Sequence, residues 1–123
     1  MTFSPAAQVA HLGLRLARNP HLPAGKQGKD FGGPDEQTVN NPAAIAARDG
    51  SVHLIYCVEY MRASHIRSLD DGLTWSRPTE ITPAFAAFRD DLDWQAIVTG
   101  PGHAIELRSG RLCVPFWMAS YDL

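Results

Sequence analysis

The 123-residue sequence carries only two cysteines, Cys57 and Cys113. Each sits in a short apolar run, LIYCV and RLCVPF, where a buried free thiol is expected in preference to a disulfide. Long apolar runs are missing too. None approaches the roughly 20 residues of a membrane span, and Met1-Thr2-Phe3-Ser4-Pro5 lacks the basic start of a signal peptide, which leaves the compartment open. Neither sign of charge dominates: eleven basic and thirteen acidic residues give a formal net charge of -2. Without a basic stripe or a polybasic cluster, neither nucleic acid nor a membrane surface is an expected partner. His11, His21, His53, His65 and His103 show no H-x-x-x-H or H-E-x-x-H spacing, and Lys26-Gln27-Gly28-Lys29 lacks the spacing of a phosphate loop. No metal, nucleotide or other cofactor is therefore expected.

What the sequence does hold is turn residues between short apolar runs. Nine prolines and ten glycines in a chain that is 45% hydrophobic and 20% charged indicate a globular all-β protein with short elements and no long helix. Residues 1–41 are punctuated by Pro20, Pro23, Gly25, Gly28, Gly32, Gly33 and Pro34, and read as a loop-rich lead-in. Within it Ala7 to Arg18 fits a helix through Val9, Leu12 and Leu16, or a strand through Leu12, Leu14 and Leu16. From Asn41 onward, strands are predicted near Ala43–Ala47, Val52–Val58, Ser64–Ser68 and Trp75–Ile81. Asp49-Gly50 should turn the first pair, and residues 69–74 should link the last. Four strands in meander order make one antiparallel sheet.

The pattern then restarts, with a strand near His103–Leu107, a turn at Arg108-Ser109-Gly110, and a strand near Leu112–Met118. Thr2 to Val9 also echoes Thr74 to Ile81. The predicted division is a lead-in with the end of a preceding unit (1–41), one complete four-stranded unit (42–82), a connecting loop (83–99) and the first half of a further unit (100–123). Units of this size that repeat are the blades of a β-propeller. One and a half blades leave apolar faces uncovered, which would favour self-association.

The most specific local motif is Ser68-Leu69-Asp70-Asp71-Gly72-Leu73-Thr74-Trp75, in the form S-x-D-x-G-x-T-W. Asp70 can accept backbone N–H groups across the loop, Gly72 can supply a positive φ, Ser68 and Thr74 can bond the neighbouring backbone, and Trp75 can anchor the loop in the sheet. Downstream, Gly100-Pro101-Gly102-His103-Ala104-Ile105-Glu106-Leu107 runs through Arg108-Ser109 into Gly110-Arg111-Leu112-Cys113-Val114-Pro115. The first motif resembles the Asp-box (BNR repeat) of sialidases, or neuraminidases, and related propellers. The second resembles the GPGH…GRLxVP segment of exo-α-sialidases. With Asn41-Pro42-Ala43, the Asp-Gly turn and Leu54-Ile55-Tyr56, the resemblance covers about residues 38 to 118.

This resemblance implies about one and a half blades of a six-bladed propeller, and so an internal fragment of a longer enzyme. Sialidases are retaining glycoside hydrolases of carbohydrate metabolism that remove terminal sialic acid from glycoconjugates through a Tyr nucleophile paired with a Glu. An Asp serves as acid/base, and an arginine triad holds the substrate carboxylate through charge-assisted bonds. In the family the first Arg and the Asp precede the Asp-box, while the Tyr–Glu pair and the other two Arg follow the GPGH segment. No residue here inherits a catalytic role, and the chain alone is expected to be inactive. The Asp-box is structural in the family and lies away from the active site, so Asp70 and Asp71 are not catalytic carboxylates. By strand direction the pocket wall falls to Asn41, Glu59, Tyr60, His103 and Trp117. His103 is a substrate contact or a hydrogen-bonded structural residue, and Trp94 is assigned to packing between blades in preference to a sugar platform. The competing reading is a non-catalytic Asp-box propeller that binds glycan or protein.

Overall fold

A computed structural model describes residues 5–10 and 39–120. Strands β1 (Val39–Ala46), β2 (Val52–Val58), β3 (Arg62–Ser68) and β4 (Thr79–Glu80) form one antiparallel sheet in sequential order. This is the all-β meander that the sequence predicts. Much of the run from Ala7 to Arg18 lies outside the described residues.

Local chemistry sets each boundary. β1 starts at Val39, earlier than predicted, and crosses a register shift between Asn40 and Ala43 before regular pairing begins. Asn41 has φ 50 there, and Pro42 has no N–H for the ladder. The β1–β2 turn closes through Ala47 N–H to Ser51 C=O (2.8 Å) and Gly50 N–H to Ala47 C=O (3.0 Å), with Gly50 at φ 85. β4 is only two residues long because Pro78 interrupts the predicted strand. Ser76 still bonds Arg67 by backbone (2.8 Å) and hydroxyl (3.0 Å) before pairing resumes at Thr79.

The predicted connecting loop, 83–99, is corrected by the structure. It contains most of a 3-10 helix (Thr82–Phe88, with a proline in its first turn) and all of strand β5 (Ala96–Thr99). Ala96, Ile97, Val98 and Thr99 are all buried. A strand covered on both faces lacks the alternation that marks a half-exposed one. The two strands predicted next are each shorter or broken: β6 is Ile105–Glu106, β7 Leu112–Cys113 and β8 Phe116–Ala119, with β5 paired to β8 and β6 to β7. The breaks fall at Gly100-Pro101-Gly102, where the Gly100–Pro101 peptide is cis and both glycines have positive φ, and at Pro115, whose carbonyl accepts from Gly100 N–H at 3.0 Å. Together β5–β6 and β7–β8 make one interrupted hairpin.

Its turn repeats the first one bond for bond. Leu107 N–H donates to Arg111 C=O (2.8 Å), Gly110 N–H donates to Leu107 C=O (2.9 Å), and Gly110 has φ 81. The first strands of the two hairpins run in the same direction. The Thr99 hydroxyl donates to the Asn41 carbonyl at one end, and the Arg48 N–H donates to Glu106 Oε2 (2.8 Å) at the other, each pair 58 residues apart. Between them lies a core of Cys57, Ala63, Trp94 and Ile97, flanked by Ile81, Phe85, Leu92, Phe116 and Met118. A second core of Leu54, Tyr56 and Ile66 occupies the other face of the sheet, against Ala10, Val39, Val58 and Trp75. Among the described residues no helix is long and apolar enough to cross a membrane.

Candidate functional site

Three of the four described non-glycine residues with positive φ lie at one end of the four-stranded sheet. Asn41, Glu59 and Tyr60 have φ of 50, 57 and 57, and none is glycine. Left-handed backbone costs such residues roughly 1–2 kcal/mol each, so surrounding structure must hold it in place. Glu59 and Tyr60 are the central residues of the β2–β3 turn, closed by Met61 N–H to Val58 C=O at 3.0 Å. Two consecutive left-handed residues match the twist of the strands that they join. Ile97 N–H donates to the Tyr60 carbonyl at 2.8 Å, which ties this turn to β5.

Asn41 is held in the same way. Its carbonyl accepts the Thr99 hydroxyl, whose oxygen then faces the Cys57 thiol at 3.9 Å as acceptor. Burial pushes the Cys57 thiol pKa up, which keeps it a protonated donor. Beside it, the Asn40 side chain has a buried carbonyl oxygen and a buried amide nitrogen without hydrogen-bond partners. Asn41, Glu59 and Tyr60 thus share one end of the sheet.

The other two predicted wall residues are placed differently. β5 begins at Ala96, so His103 is not at the start of its strand; it follows the cis Gly100–Pro101 peptide and is exposed. Trp117 pairs with Val98 in the β5–β8 register, one step from the Thr99–Phe116 pair, so it faces away from the side that bonds Asn41. It is 43% exposed. Trp94 is 3% exposed, donates its indole N–H to the Phe85 carbonyl at 3.2 Å, and carries the Arg89 guanidinium 3.8 Å above its ring. That leaves no open face for a sugar. Of the described tyrosines, Tyr56 is buried in the core, where burial raises its pKa. Tyr121 lies outside the described residues.

The loop after β3 lies at the opposite end of the strands. Ser68, buried, donates its hydroxyl to Asp70 Oδ1 (2.8 Å) and accepts the N–H groups of Gly72 (2.8 Å) and Asp70 (3.3 Å). Asp70 also accepts the Thr74 N–H (2.8 Å) and hydroxyl (2.6 Å), and Trp75 donates its indole N–H to the Gly72 carbonyl (3.0 Å). The Thr74 bonds, ahead of that from Ser68, hold the Asp70 carboxyl below its ordinary pKa. An anion engaged by so many donors is a poor proton donor. Asp71 (φ 55) and Gly72 (φ 87) turn the chain, leaving Leu69 and Leu73 at the tip, 74% and 84% exposed. Sequence reasoning missed the roles of Thr99 and Ile97, which anchor the strained end. Their only signal was the apolar run Ala-Ile-Val-Thr.

No family model matches the chain. Among characterised proteins it is similar to sialidase-4 of Mus musculus, 41% identical over 58 residues, which are 46% of this chain and 12% of that protein. The exo-alpha-sialidase of Aspergillus fumigatus is 42% identical over 48 residues, 39% of this chain and 11% of that protein. Sialidase-3 of Bos taurus is 28% identical over a stretch covering 73% of this chain and 26% of its own length. The chain thus spans about an eighth to a quarter of the relatives that it matches. It is similar to sialidases over part of its own length and a smaller part of theirs.

Proposed function

We propose that this chain is part of an exo-α-sialidase, a retaining glycoside hydrolase that removes terminal sialic acid from glycoconjugates, and that it contributes pocket wall without the reacting groups. The observation that carries the reading is the gathering of Asn41, Glu59 and Tyr60, all in left-handed backbone, at the sheet end opposite the Ser68–Trp75 loop. Strain of this kind concentrates where side chains must be aimed at a ligand. His103 and Trp117 are outer candidates only, His103 exposed beyond the Gly100–Pro101 peptide and Trp117 facing away from the side that bonds Asn41. Two hairpins lying side by side in one direction, with the same glycine turn at the same end, support propeller blades at 42–82 and from β5 onward.

Within this reading the loop of Ser68, Asp70, Gly72, Thr74 and Trp75 is a structural Asp-box. The sugar meets amide, carboxylate and aromatic groups from this chain. The nucleophile, the acid/base and the arginines that hold the substrate carboxylate come from other parts of the parent fold. Sequencing the coding region on both sides tests this. An Arg and an Asp encoded upstream, with a Glu, two Arg and a Tyr downstream, are expected. A propeller without them would instead be a non-catalytic glycan- or protein-binding module.

A further inference from the structure

Apart from the pocket end, the sheet carries a row of hydrogen bonds whose proton order is fixed. Asp49 Oδ1 accepts both the N–H (2.9 Å) and the hydroxyl (2.6 Å) of Ser51. Those Ser51 bonds, with Arg67 adding to them, hold the Asp49 carboxyl below its ordinary pKa, so it is an acceptor only. A hydroxyl has a single proton. Ser51 Oγ must therefore accept from His53 Nε2, 3.0 Å away. Neutral His53 is then bare at Nδ1, which accepts from His65 Nε2 at 2.9 Å. Every donor points toward Asp49, and both imidazoles carry the proton on Nε2. The rings lie nearly parallel, 12° apart with centroids 5.1 Å from each other, and meet edge to edge through that bond. Because the Ser51 proton goes to a carboxylate and not to an imidazole, the row has the wrong polarity for a serine nucleophile. Among the described residues no three ligating groups gather to hold a metal either.

We propose that His53 and His65 form a proton-operated latch on the β1–β2 turn, closed while both rings are neutral and opened by acid. The first proton has one place to bind, His65 Nδ1. A second must take His53 Nδ1, which breaks the bond between the rings and points the N–H groups of two cations at each other. The charged neighbours are Asp49 and Arg48 on the turn and Arg67 on β3, bonded to Asp49 at 3.1 Å. Beyond them are Glu80 on β4, paired with Arg62, and Glu106 on β6, paired with Arg48. β1, β5 and the 3-10 helix have no titratable side chains. Burial is the largest influence lowering the pKa of both histidines. Arg67 lowers His53 further while Asp49 opposes, and His53 and then Arg67 lower His65.

The sign follows. With folded-state values below the ordinary 6.5, the open form binds protons more readily. The closed form is favoured above that pH and loses its advantage as the pH falls through the lowered values. Opening frees Ser51 and the turn, and with it the Arg48–Glu106 contact that holds the second hairpin.

This latch does not rest on the sugar-pocket reading. Long-range 1H–15N spectra of the full chain, titrated from pH 8 to 4.5, test it. Both rings should be Nε2–H tautomers at high pH and titrate in two steps below 6.5, separated by about one pH unit or more. The amides of Arg48, Ser51 and Glu106 should move with the second step. In His65→Gln, His53 should titrate in a single step, and in Ser51→Ala it should lose its tautomer preference. An Nδ1–H tautomer at either wild-type ring, independent titration at or above 6.5, or turn amides that stay still would overturn the latch. So would a wild-type chain without dispersed sheet amides at high pH.

Discussion

The hydroxyl of Thr99 donates to the backbone carbonyl of Asn41, and this bond sets the level at which β5 meets β1. It also ties down a left-handed residue, since its acceptor is the carbonyl of Asn41, whose φ is 50. The strained sheet end and the contact between the two hairpins are therefore one structural feature.

Thr99→Val keeps the side-chain shape but removes the donor, leaving the Asn41 carbonyl facing a methyl group. The expected cost is about 1–2 kcal/mol, read as a lower urea midpoint with an unchanged slope. An unchanged midpoint would mean that the bond does not support Asn41.

Ile97 is fully buried in the core shared by the two hairpins, and its N–H holds Tyr60. Ile97→Ala should cost about 2–5 kcal/mol and broaden the amide signals of Glu59 and Tyr60. Trp117→Ala, at a half-exposed position, should cost far less and leave those signals sharp.

Gly72 has φ 87, and a Cβ there would meet the Trp75 ring at 3.6 Å, an ordinary contact. The penalty of Gly72→Ala is then conformational, about 1–2 kcal/mol by thermal unfolding. Replacing exposed Leu69 and Leu73 by serine should leave stability unchanged and lower self-association in light scattering. A large loss of stability would show that the tip packs against the fold.

Asp49, Asp70 and Glu106 all have pKa values held below the ordinary carboxylate range, by Ser51, Thr74 and Arg48 respectively. Their contribution is complete above the unfolded values of 3.8 and 4.5 and is lost as pH falls through the lowered folded values. Urea midpoints should therefore drop between about pH 4 and pH 2, a limb separate from the histidine limb below 6.5. Asp70→Asn should flatten the lower limb and leave the upper one in place.

Much of this was legible in the sequence. Asp49-Gly50, alternating apolar residues and the Ser68–Trp75 motif located the four-stranded sheet, because period and turn chemistry are local properties. The strand at Ala96–Thr99 was not legible, since burial on both faces removes alternation. Its absence from the predicted pattern displaced His103 toward a strand start that lies at Ala96. Asn41, Glu59 and Tyr60 could be nominated by strand direction, but their left-handed backbone could not, because nothing in their types demands it. The His53–His65 contact depends on the β2–β3 register, in which Ile55 faces His65 and His53 faces Arg67, and residue spacing alone gave no hint of it.

The central claim is that this chain is sialidase pocket wall without sialidase chemistry. Incubating the purified 123-residue chain with a fluorogenic sialoside tests it most directly. The account predicts no release of the fluorophore above the uncatalysed rate, and turnover that tracks the purified chain would contradict it.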